Sequence, residues 1–232
     1  MTLAIMQPYL FPYIGYFQLL NAVDKFVIYD DVAFINRGWI NRNSILNNGK
    51  AQLFTVPLKE ASQNKLIHEI SIDTDQKWRD KLLKTIQQNY KKAPHFAAVF
   101  PIVEAVFQQS ESNISTYIYN SLTMIGEYLS ISTPLVKSST IYNNQHLKAQ
   151  ERILDICLQE KADHYINPIG GRELYNKDLF AEHGIQLNFI RSERVEYPQL
   201  GDEFTPWLSI IDVMMFNSKE QIQELLKAYI LE

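Results

Sequence analysis

A chain of 232 residues with 46% hydrophobic and 21% charged side chains has ordinary globular composition, and it is long enough to bury a sizeable core. Its formal charge of −4 and pI near 5.8 argue against a general DNA- or RNA-binding protein, which would carry a basic face. A single cysteine, Cys157, excludes an intrachain disulfide framework and fits a reducing, cytoplasmic compartment. Met1–Met6 lacks the charged start and small-residue cleavage site of a signal peptide, and no apolar run approaches the ~20 residues needed to span a bilayer.

Hydrophobic periodicity predicts a strand over Leu3–Met6, an aromatic and proline-containing loop over Gln7–Tyr13, a helix over Gly15–Ala22 and a buried strand over Phe26–Tyr29 that ends in Asp30-Asp31. Strand, helix and strand in so short a span open a parallel α/β sheet. Trp39–Ile45 and Ala51–Val56 flank Asn47-Asn48-Gly49-Lys50, a hairpin signal because Asn and Gly both tolerate positive φ. His68–Ile72 alternates like a strand. Asp75–Leu129 reads as three helices punctuated by Pro94, Pro101 and Ser112-Asn113. Further on, strands are predicted at Leu135–Ser138, His164–Asn167 and Ile185–Ile190. Helices are predicted at Asn144–Glu160 and Arg172–His183, and over Leu208–Leu231 with a break at Asn217-Ser218. The expectation is one α/β domain over residues 1–232 with a mainly parallel sheet, a β-hairpin insertion and a helical insertion over about 75–130.

In open α/β sheets ligands bind beyond the carboxyl ends of the strands, which draws attention to the loop after the first strand. It is not a glycine-rich dinucleotide fingerprint. It is a rigid loop with two prolines, where Gln7 sits at the strand end and Gly15 near a helix start lets a phosphate approach backbone N–H groups. Tyr9, Phe11 and Tyr13 either line a site or cap the core.

The runs Gln7-Pro8-Tyr9, Phe11-Pro12 and Gly15-Tyr16-Phe17 are followed by Asp24-Lys25-Phe26-Val27-Ile28, Asp30-Asp31-Val32 and Trp39-Ile40-Asn41-Arg42-Asn43. With Tyr197-Pro198-Gln199-Leu200, Phe204 and Leu208-Ser209-Ile210-Ile211-Asp212, they resemble the WbqC-like protein family of bacteria over nearly the whole chain. That resemblance implies a role in the clusters that build O-antigen or other surface polysaccharide, and it carries no reaction with it. The opening, a strand, then Pro-x-x-Gly-aromatic at a helix start, then a strand ending in acids, is also similar to the nucleotidylyltransferase and class I synthetase superfamily. This second likeness implies a Rossmann-like start. There a Gly-His pair holds a nucleotide phosphate. This chain has Gly15-Tyr16, and a tyrosine donates one hydrogen bond but carries no positive charge, so the departure counts against adenylyl transfer and leaves nucleotide binding open.

Other residues suit ligand chemistry by type and spacing. Asp30 and Asp31 are able to hold ribose hydroxyls or one Mg²⁺, or form a solvated strand end. Trp39 and Asn41 share one face of a predicted strand with Asn43, and Arg42 lies opposite; a guanidinium beside amides suits a carboxylate, phosphate or sugar. Lys148 and Arg152, one turn apart, repel unless an anion offsets them, and His146 nearby is a candidate base. Gly170 and Gly171 follow a strand and open a predicted helix, a backbone N–H nest flanked by Asn167 and Tyr175. Ser209 and Asp212 have the spacing of a capping box, yet an acid inside so apolar a run is also a candidate base. Metal-site spacing, a nucleophile elbow and a Walker loop are absent from the sequence. The loop and the glycine turn point to a phosphorylated ligand, and the family resemblance implies surface-glycan synthesis. The expectation is therefore a group transferase acting on a nucleotide-linked or phosphorylated sugar intermediate in surface polysaccharide biosynthesis, with a non-catalytic ligand-binding or assembly subunit of the same pathway as the alternative.

Overall fold

The computed structural model describes residues 1–201 and 203–232. The chain opens with β1 (Thr2–Met6), α1 (Ile14–Asn21) and β2 (Lys25–Ile28). It then leaves the sheet for the hairpin β3 (Arg42–Asn47) and β4 (Lys50–Thr55), the small ladder β5 (Leu58–Lys59) with β6 (Ser71–Ile72), and the helices α2 (Gln76–Tyr90), α3 (Phe96–Phe107) and α4 (Ile114–Tyr128). β7 (Leu135–Val136), α5 (Ala149–Gln159), β8 (His164–Pro168), α6 (Lys177–Glu182) and β9 (Gln186–Ser192) follow. The last elements are α7 (Ile210–Phe216), α8 (Lys219–Leu225) and β10 (Tyr229–Leu231).

The architecture is mixed α/β around a mainly parallel sheet of order β7-β2-β1-β8-β9-β10, in which only β10 runs antiparallel to its neighbour. Parallel strands covered on both faces read as continuous apolar runs, and Leu3-Ala4-Ile5 and Phe26-Val27-Ile28 are buried throughout. Alternate residues serve opposite layers. Ala4, Phe26, Ile28, Ile166 and Ile190 pack with the core of α1, α7 and the three middle helices, whereas Leu3, Ile5, Val27, Tyr165 and Phe189 pack with α5 and α6. From β1 the chain moves outward through β2 to β7, then returns to the other side of β1 as β8, so strand order reverses between β1 and β8.

Several predicted boundaries move, each for a local reason. The hairpin turn is as expected, with Asn48 and Gly49 both at positive φ. Pro101 lies in the second turn of α3 without ending it, and Asn113 caps α4 by accepting the Thr116 N–H. His68–Ile72 is a 3₁₀ turn at Ile67–Glu69 before the two-residue β6. The helix predicted from Asn144 starts at Ala149, with Lys148 at its N-cap. Arg172–His183 divides into a 3₁₀ turn over Ile169–Leu174 and α6, because Asn176 accepts the Asp178 N–H and starts a new helix. The C-terminal helix stops at Leu225, where Gln18 donates to the Leu225 and Ala228 carbonyls, and the β-forming Tyr229-Ile230-Leu231 pairs with β9.

Candidate functional site

A crevice opens at the carboxyl ends of the strands where their order reverses. It has two lobes of about 590 and 530 Å³ that share Met6, Tyr9 and Pro168, the residues that follow or end β1 and β8. The first lobe lies toward β9 and is walled by Pro12, Tyr13, Gly15, Tyr16, Trp39, Asn43, Ile190, Arg191, Ser192 and Trp207, with Ile169. The second lies toward β2 and α5, with Gln7, Tyr29, Ile35, Ala149, Gln150, Ile153, Asn167, Gly170, Gly171, Leu174 and Tyr175.

The first lobe is built from rings. Tyr13 packs on Trp207 at 5.1 Å between ring centroids, and Tyr9 on Tyr16 at 5.8 Å. The Tyr16 hydroxyl donates to the Gln7 carbonyl at 3.0 Å, which fixes the loop to the first turn of α1. Burial raises the pKa of Tyr9, Tyr13 and Tyr16, so their hydroxyls are neutral donors at physiological pH. Gly15 lies in close approach to β9: a Cβ there would stand 2.6 Å from Ser192 Oγ and displace that hydroxyl. Arg191 brings the lobe's one formal charge, and its Nε donates to Glu232 Oε1 at 2.7 Å.

The second lobe rests on an immobilised amide. Asn167 Oδ1 accepts the Tyr165 hydroxyl at 3.1 Å, and Nδ2 donates to the Pro168 carbonyl at 3.1 Å. Gly171 lies directly beneath it, and a Cβ there would meet Asn167 Nδ2 at 2.1 Å. The two glycines sit in a 3₁₀ turn rather than at the start of an α-helix, so the expected helix N-terminal nest does not form.

Of the residues singled out from sequence, the crevice gathers Gln7, Asn167, Gly170, Gly171 and Tyr175 in one lobe, Tyr13, Gly15, Tyr16, Trp39 and Asn43 in the other, and Tyr9 in both, while Phe11 is buried in the core. The remaining residues lie elsewhere. Asp30 is buried and accepts from Ser115 Oγ at 2.6 Å, Ser138 Oγ at 2.7 Å and Ser139 N at 3.1 Å. Asp31 accepts from Ser139, from Gln145 at 3.1 Å and from the guanidinium of Arg152. Donors therefore cover the oxygens expected to face ribose or Mg²⁺, and the described residues contain no cluster of three or more His, Cys, Asp or Glu able to hold a metal. Arg152 also binds Asn144 Oδ1 at 2.9 Å and stands over the Tyr29 ring, whereas Lys148 points into solvent; the two do not form a common anion site. Asn41 donates to the Val56 carbonyl at 2.7 Å. Arg42 binds the Gly38 and Arg37 carbonyls and lies over Trp39, so it shapes the loop that carries that ring.

Neither candidate base faces the crevice. His146 is exposed on the surface. Asp212 is fully buried and accepts from Tyr90 at 2.8 Å, Tyr197 at 2.8 Å and Gln199 at 2.6 Å, while Ser209 alone caps α7. Burial pushes the Asp212 carboxyl up to about 6 against the downward pull of its three donors.

The sequence reading missed Tyr29, Arg191, Ser192 and Trp207. The rule used for the first strand, that sites follow carboxyl ends, reaches Arg191 and Ser192 when applied to the strand predicted at Ile185–Ile190. Trp207 left a weaker signal, a tryptophan after Pro206 in a loop.

Fold and crevice together define an α/β protein with a two-lobed cavity at the reversal of a mainly parallel sheet. Residues 7–224 match the sequence model of the WbqC-like protein family, and the chain belongs to that family. It is 33% identical over 218 residues to the uncharacterized protein Rv1507c of Mycobacterium tuberculosis, covering 92% of each chain. No solved structure is significantly similar to it.

Proposed function

We propose that the chain is a cytoplasmic group transferase acting on a nucleotide-linked or phosphorylated sugar intermediate in surface polysaccharide biosynthesis, with the crevice as its ligand site. The observation that carries the ligand half is the position of the crevice. With β1 counted first, the strand order is 3-2-1-4-5-6, that of doubly wound nucleotide-binding sheets, and the cavity straddles the reversal where such sheets bind ligands. The order also supports a Rossmann-like, nucleotidylyltransferase-like reading of the first three elements. The polysaccharide half rests on what family membership implies. Gln7, Asn167 and the Gly170-Gly171 turn are the groups this reading assigns to sugar, and Arg191 and Ser192 those it assigns to phosphate.

One observation favours the second reading, a non-catalytic ligand-binding or assembly subunit of the same pathway. Among the described residues, no carboxylate, imidazole, thiol or amine lines either lobe, which leaves only neutral hydroxyls, amides and one guanidinium to act on a ligand. A thermal-shift and calorimetric screen against nucleotides, nucleotide-linked sugars and sugar phosphates tests the site, since a ligand at 100 times its Kd adds ~2.7 kcal/mol. Binding lost on Asn167→Ala or Arg191→Ala is the expected result, and no response to any of these ligands refutes the proposal. Release of nucleotide or phosphate in the presence of an acceptor separates transferase from binding subunit.

A further inference from the structure

We infer that the phosphorylated ligand of this crevice carries a long hydrocarbon chain rather than a nucleoside; the inference rests on the reading of the crevice as the ligand site and narrows it. The charge of the lining is the first ground. No Asp or Glu among the described residues lines either lobe, and the one formal charge there is Arg191, which pairs with Glu232 at 2.7 Å. One guanidinium matches one phosphate group. A nucleoside diphosphate brings more charge than one guanidinium matches.

The walls and rim supply the second ground. Met6 and Pro168 run through both lobes, and Ile153, Ile169 and Ile190 extend the apolar surface to either side. Eight large apolar side chains stand exposed among the described residues, and four of them, Ile35, Trp39, Leu174 and Trp207, border this one crevice at 51–70% exposure. Singly exposed apolar residues are ordinary on a protein surface, but a cluster that continues an apolar cavity is the mark of a ligand or partner that covers it. A flexible hydrocarbon chain leaving the cavity between these side chains takes both them and itself out of water.

A chain-length series tests this directly. Linear alkyl phosphates from hexyl to decyl, kept below the concentrations at which they form micelles, are titrated against the full chain by calorimetry and tryptophan fluorescence, beside UMP and UDP-linked sugars. A buried methylene tightens binding roughly three- to fourfold, so decyl phosphate should bind on the order of a hundredfold more tightly than hexyl phosphate, at one molecule per chain. The double variant Leu174→Ser, Trp207→Ser alters two exposed side chains, should keep the native fold by circular dichroism, and should lose most of that slope. Saturable binding of the nucleotides with none of the alkyl phosphates overturns the inference while leaving the proposed function standing. Failure of both classes to bind overturns both. A slope unchanged in the double variant, or binding beyond one molecule per chain, means non-specific partitioning and also overturns it.

Discussion

Replacing Asp212 by asparagine separates two opposing effects on a buried acid. Its carboxylate accepts three hydrogen bonds, which favour the charged form, inside a site with no solvent exposure, which disfavours it. Burial prevails, lifting the pKa from 3.8 to about 6. A rise of about two units corresponds to about 3 kcal/mol of linkage between folding and protonation. Because the folded state holds the proton more tightly than the unfolded chain, this stabilisation is fully present below about pH 4, falls as pH rises between about 4 and 6, and is lost above that. Glu160 and Glu232, whose pKa values are lowered, act in the opposite direction, so the informative quantity is the difference between the native chain and Asp212→Asn, which keeps the shape without the charge. Urea unfolding from about pH 4 to about pH 7 should show the native chain losing about 3 kcal/mol relative to the variant. A difference that stays constant would refute the reasoning by showing that the Tyr90, Tyr197 and Gln199 donors balance burial, and one that grows in favour of the native chain as pH rises would show that they outweigh it.

Arg152→Met strands the buried Asp31 carboxylate and should cost about 3–5 kcal/mol of stability in urea unfolding; a loss below ~1 kcal/mol contradicts a buried ion pair. Gly171→Ala places a methyl 2.1 Å from Asn167 Nδ2 and forces that side chain off the Pro168 carbonyl. It should lower stability by about 1–3 kcal/mol and weaken ligand binding, and an unaltered melting curve with unaltered affinity tells against the packing described. Burial pushes the Cys157 thiol up to about 12, so iodoacetamide should leave it unmodified in the folded protein and alkylate it after unfolding, as mass spectrometry reads directly.

What sequence made legible was the part that local physics determines. Leu3-Ala4-Ile5 and Phe26-Val27-Ile28 announce strands buried on both faces, and Asn48-Gly49 announces a two-residue turn, because each signal is complete within a few neighbouring residues. The carboxyl-end rule then located half of the crevice. Long-range pairing decided the rest. Tyr229–Leu231 continues a helical pattern until β9 offers an edge, and no local feature states that β9 is there. Charged residues misled in the same way. Arg152 and Lys148 look equivalent on a helical wheel, but only the tertiary position of Asp31 draws one inward and leaves the other in water.

Those charged residues still bear on the site, one step behind it. Two non-glycine residues that themselves line the crevice, each in its own wall segment, stand at positive φ, Ala149 at 46° and Trp207 at 62°, a backbone state that costs on the order of 1–3 kcal/mol and persists only where surrounding contacts enforce it. Each segment is anchored by one of the buried carboxylates. Asp31 holds Gln145 and Arg152 on either side of Ala149, and Arg152 binds Asn144. Asp212 holds Gln199, which in turn binds the N–H and carbonyl of Thr205, two residues before Trp207. The acids fix the shape of walls they do not line, and among the described residues this chain of net charge −4 keeps its carboxylates out of the cavity, as the ligand proposed above requires.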